Sequence, residues 1–185
     1  MTREPMPQNA DPSLWEGMGA AELRAFLDDA ARLWLAHDGL WFQAVERRFG
    51  LEAAMACDRE AWAQFSPIEA RRILGRLDLV PGGGLDALDR ALRHRLYAHL
   101  NPQAITRPAP ERLILRMLTC RVQEARRRKG LPDFPCREVG TVEYTTFAQA
   151  IDPRIATRCV VCPPDPPETG HTCAWEFTLR DGART

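Results

Sequence analysis

Thiols are the side chains in this chain best suited to chemistry. Five of its six cysteines, Cys120, Cys136, Cys159, Cys162 and Cys173, follow one another as C-x15-C-x22-C-x2-C-x10-C. Thiolates are soft ligands that hold zinc or an iron–sulfur cluster. In Cys159-Val160-Val161-Cys162, two thiolates three positions apart can reach one ion. A tetrahedral centre then needs two further ligands, and Cys120, Cys136 and Cys173 are the candidates. The spacing therefore predicts an iron–sulfur cluster or zinc as cofactor. In its sharpest form, Cys159, Cys162 and Cys173 meet through one hairpin, and Cys120 or Cys136 completes the set. The competing reading is a group of buried cysteines acting as small apolar side chains. Cys57, far upstream in a helix, is expected to be structural.

Other groups could work beside the thiols. Cys120 is expected to head a helix, where backbone N–H groups and the adjacent Arg121 would lower its pKa and suit a ligand or a nucleophile. Glu124, one turn on, could serve as a base; a surface ion pair with Arg127 or Arg128 is the plainer role. His37-Asp38 offers an acid, base or ligand, although His37, between Trp34 and Trp41, reads as a packed histidine. His171 is an alternative ligand or a solvated loop residue. Glu143, Tyr144 and Asp152 could line a ligand pocket beside the centre or lie on a helix surface. Arg126-Arg127-Arg128-Lys129 reads as a solvated basic face.

Elements must position these groups. Residues 1–13 read as a mobile tail. Apolar residues at three- and four-residue steps, from Leu23 through Trp34 and Trp41 to Phe49, predict a long first helix closed by Gly50. A second helix follows from Leu51, and Ser66-Pro67-Ile68-Glu69 predicts the start of a third, running to about Leu79. A helix over about 85–100 ends at Asn101-Pro102. Strands are predicted over Gln103–Arg107, Arg112–Leu118, Arg154–Cys162 and Thr172–Arg180. Between the two strand pairs lie a helix from Cys120 to Lys129, capped by Thr119, and another from about Gly140 to Ile151. The class is α+β: an N-terminal helical bundle over 14–100, then a cysteine-rich domain over 101–180 with a ββαα-ββ antiparallel sheet and helices on one side.

Composition narrows the partners. Lys+Arg and Asp+Glu are equal at 25 each, so no global field favours nucleic acid. No apolar run approaches the roughly 18 residues that span a bilayer, and the first residues lack a signal-peptide pattern. A cytoplasmic protein is expected, with no nucleic-acid or membrane partner and with thiols kept reduced. The oligomeric state is open.

The runs CRVQEARRRKGLPDFPC and VEYTTFAQAIDPRI, the C-x2-C pair and the closing C-A-W-E-F resemble an uncharacterised bacterial family of cytosolic proteins. HDGLWFQAVE and SPIEARRI extend that resemblance into the helical part. The layout is also similar to the aminothiazoline-carboxylate hydrolase-like family, with Cys120, Cys136 and Cys173 at corresponding positions and the C-x2-C pair additional. It is further similar to vinyl-reductase-type small-ligand domains, which the resemblance links to a cysteine-bound metal. The leading expectation is a metal or iron–sulfur protein whose centre serves redox chemistry, sensing or catalytic support. The alternatives are a C–N (amide-type) hydrolase of a small molecule and a non-catalytic small-ligand sensor.

Overall fold

The computed structural model describes residues 12–166 and 170–180. The predicted tail therefore lies largely outside the described residues, as do positions 167–169. After a short turn at Pro12–Trp15 come α1 (Ala20–Phe49), α2 (Leu51–Arg76), α3 (Gly84–Leu92) and α4 (Leu96–Leu100). They are followed by β1 (Gln103–Ala109), β2 (Arg112–Met117), α5 (Arg121–Arg128), α6 (Arg137–Ile151), β3 (Ile155–Val161) and β4 (Cys173–Leu179). The sheet runs β1-β2-β4-β3, with every neighbouring pair antiparallel. This is the α+β class and the ββαα-ββ order read from the sequence.

Local chemistry explains the boundaries. Gly19 N–H donates to Glu22 Oε2 at 2.8 Å, closing the first turn of α1. Gly50, at φ 87°, takes the left-handed backbone that lets one long helix stop and the next begin. Two predicted boundaries differ. Ser66-Pro67 does not start a new helix: α2 runs unbroken through Pro67. A proline removes one backbone hydrogen bond, but the buried face formed by Trp62, Ser66, Ala70, Ile73 and Leu74 continues across it. Conversely, the helix expected over 85–100 breaks. Arg95 adopts an extended backbone, φ −70° and ψ 155°, and its guanidinium reaches Glu69 and Glu143 at 2.8 Å each. The turn between α3 and α4 thus sets the guanidinium between two buried carboxylates.

Residues predicted as separate regions share one core. Ile73, Leu74, Leu85 and Leu88 from the helices pack with Leu113, Leu115, Phe147, Trp175 and Phe177. Strand alternation sorts the sheet. Leu113, Leu115 and Met117 face the helices with Cys173, Trp175 and Phe177, while Glu176 and Arg158 form an outward row. Among the described residues, no helix is long and apolar enough to cross a membrane.

Candidate functional site

Strand parity decides which cysteines meet. Residues three apart on a regular strand point to opposite faces, so Cys159 and Cys162 would diverge. A register shift between Cys159 and Val161 inserts one residue and restores the parity, so Cys162 turns inward and is fully buried. Cys173 begins β4, Cys120 is the N-cap of α5 and Cys136 the N-cap of α6. These four thiols line one cavity of about 510 Å³. Cys136 Sγ and Cys162 Sγ are 3.1 Å apart. Cys159, paired with Trp175 on the edge strand, is off the lining. The Cys159 thiol nevertheless lies beside that of Cys162 and packs on the core, while the cavity itself is lined by Cys162 and Cys173 of the expected hairpin trio together with Cys120 and Cys136.

The wall is built for close approach. A Cβ placed on Gly140 would lie 2.6 Å from Trp175 Cζ2, so α6 reaches the tryptophan only with glycine there. Gln123, 1% exposed, donates from Nε2 to Phe134 O and accepts from Phe134 N–H on Oε1, both at 2.8 Å. This reciprocal pair fixes the loop that delivers Cys136. The same Nε2 lies 3.7 Å from Cys136 Sγ. Backbone N–H groups of Gln123 and Val122 point at the Cys120 sulfur. The indole N–H of Trp175 has no hydrogen-bond acceptor in bonding geometry and sits beside the Cys173 thiol. Two of the four sulfurs, those of Cys136 and Cys120, therefore have an N–H group directed at them, and a third, Cys173, has one beside it. Asn101 Oδ1 accepts from Arg121 N–H at 2.9 Å, a side-chain cap replacing the predicted Thr119.

Burial outweighs these donors. It pushes the Cys120 thiol up to about 11, so the predicted low pKa does not hold: desolvation exceeds what the helix N-terminus supplies. Burial likewise raises Cys173 and Cys159. Cys136 and Cys162 behave as a pair: the thiol–thiol hydrogen bond lowers Cys136 and raises Cys162. Carboxylates share the cavity. Burial pushes Asp58 up to about 7, with Asp38 and Glu143 adding like charge. Asp38 rises for the same reason, partly offset by His37. Glu143 is pushed up to about 7 by burial, against the pull of Arg95. The exposed residues Arg32, Arg128 and Lys129 stand at the cavity's rim.

The remaining candidates scatter. Glu143 and Tyr144 are buried on the lining. Asp38 is half-buried on it, whereas His37 is exposed, because α1 turns that face outward. Glu124 is exposed and off the lining. Asp152 is buried elsewhere, accepting from Gly84 N–H at 3.0 Å and pairing with Arg154. His171 is half-buried and off this lining, and Cys57 is exposed. The basic run is not simply solvated. Arg126, 4% exposed, grips both Glu46 oxygens at 2.8 and 2.9 Å, and Arg127 pairs with Asp133. Sequence reasoning missed Arg95, Gln123 and Asp58. Arg95 stands over four aromatic rings, nearest Phe147 at 4.5 Å, and no local motif announces it.

Among the described residues, no group of three or more His, Cys, Asp or Glu side chains is arranged to hold a metal ion. The sulfurs line a wall rather than converge on a point. Residues 17–179 match a family model described as a family of unknown function (DUF6125), and the chain belongs to that family. Comparison with curated proteins and with solved structures finds no match.

Proposed function

We propose that this protein binds a thiophilic metal, zinc or an iron–sulfur cluster, through Cys136, Cys162, Cys173 and Cys120, beside space for a small ligand. One observation carries the reading: four thiols from four elements line a single cavity, two of them with N–H groups directed at sulfur. Such donors stabilise thiolate rather than thiol. Zinc–sulfur bonds of about 2.3 Å place tetrahedral sulfurs about 3.8 Å apart. Cys136 and Cys162, at 3.1 Å, need to separate by a fraction of an ångström. A bound centre would supply Lewis-acid or electron-transfer chemistry. Asp38, Asp58 and Glu143 would favour a cation and hold protons near it. All six cysteines are free, which suits a reducing cytoplasm.

The test is metal and sulfide analysis with a visible spectrum on anaerobically purified protein. Zinc, or iron with sulfide, in stoichiometric amount supports the reading. A folded, metal-free protein that takes up neither Zn2+ nor Fe2+ rejects it. The hydrolase suggested by the family-like layout would use this same cavity. Cys120 as a free nucleophile draws no support from a thiol pushed up to about 11, nor Glu124 as its base from an exposed position. A non-catalytic sensor would share the cavity and differ in forming no product.

A further inference from the structure

α1 is 30 residues long, yet it is buried at Ala31 and little else. Most of its contacts run along one side: Trp34 stacks on Phe65, Phe42 meets Phe134, and Glu46 takes Arg126; near the start of the helix Trp15 also packs edge-on against Phe26. A second set of residues follows steps of three and four along another face: Leu23, Phe26, Ala30, Leu33, His37, Leu40 and Ala44. That is three heptads of a coiled-coil seam. Phe26, Leu33 and Leu40 are 48%, 70% and 60% exposed, and Leu27 and Trp41 beside them 51% and 64%. An apolar surface of this extent marks an interaction site.

We infer that α1 pairs with α1 of a second copy of this chain as an antiparallel coiled coil. Residue sizes select the orientation. Antiparallel, with each position facing its counterpart about a centre near Leu35, Phe26 meets Ala44 of the second copy, Ala30 meets Leu40, and Leu33 meets His37. Large side chains then face small ones, and Leu27 reaches Trp41 on one flank. The ends are complementary in charge, because Glu22 approaches Arg47 and Arg48 of the other helix. A parallel pair would instead stack Phe26 on Phe26, leave a gap at Ala30 and set Arg47 against Arg47. The contact is isologous and closes as a two-fold dimer. Leu40 also lines the cavity, so the seam borders the cavity's edge.

Sedimentation velocity on the full chain at 1–100 µM (a range of about 10²) tests this. A mass near twice 20.9 kDa is expected, falling to monomer in Leu33→Glu with an unchanged circular dichroism spectrum. Orientation is read by disulfide cross-linking in a Cys57→Ser background. Ala30→Cys and Leu40→Cys proteins should cross-link only when mixed. A monomer at the highest concentration overturns the inference. So does a dimer that survives Leu33→Glu, or efficient cross-linking of Ala30→Cys with itself.

Discussion

Glu176 on the outer face of the sheet and Asp58 at the cavity are carboxylates withdrawn from water in different ways. Glu176 is 7% exposed. Burial pushes it up, but Arg158, 2.9 Å from Oε1, and Arg112 more than offset this, so its pKa is lowered. Asp152 is held low by Arg154 in the same manner. Asp58 and Asp38 have no Arg or Lys ion pair among the described residues, and both are raised. Glu176 on the sheet and Asp152 at the end of α6 are structural, each neutralised by arginine. The cavity acids stand with four thiols and hold stored proton affinity, which a bound cation would exchange for its own charge.

The comparison can be broken first at Arg95, the buried cation nearest the cavity acids. Arg95→Met should cost about 3–5 kcal/mol in urea unfolding, because Glu69 and Glu143 lose their buried partner. A cost below about 1 kcal/mol would mean that those acids are already protonated. Gln123→Ala should cost about 1–3 kcal/mol by leaving the buried Phe134 N–H unpaired, while the Phe134 C=O keeps the Cys136 N–H. The substitution should also speed the reaction of Cys136 with a thiol reagent. Asp58→Asn should stabilise the metal-free protein at pH 8 by on the order of 1–2 kcal/mol. The folded pKa of about 7 lies above the ordinary 3.8, so this group's contribution to stability is full below about pH 4 and is lost as pH rises towards 7. Denaturation at several pH values should show that slope flatten in the variant. Arg158→Ala, at a mostly exposed arginine, should cost at most about 1 kcal/mol. Its effect should fade as pH falls below the ordinary 4.5 of Glu176.

The order of elements was legible because strand alternation and helical period are local signals. Gly50 marked a helix end through its left-handed backbone, and β1 to β4 fell within a few residues of their predicted limits. Pro67 misled because a continuous buried face on α2 overrode the local break. Arg95 misled in the opposite sense: its partners, Glu69 and Glu143, are 26 and 48 positions away, beyond any window of periodicity. At the site, cysteine spacing pointed to the stretch whose thiols line the cavity. C-x2-C gives no sign of the register shift in β3 that puts Cys159 and Cys162 on one face, with Cys162 on the cavity lining and Cys159 off it. The outward heptad of α1 was visible as residues but was absorbed into one apolar stripe. Only burial separates its two faces.

The most direct test of the thiol cavity is Co2+ titration of metal-stripped protein, followed by its thiolate charge-transfer absorption. Wild type and Cys159→Ser should bind with equal stoichiometry, and Cys162→Ser should lose the band. No binding by wild type, or loss in Cys159→Ser with retention in Cys162→Ser, would contradict the assignment.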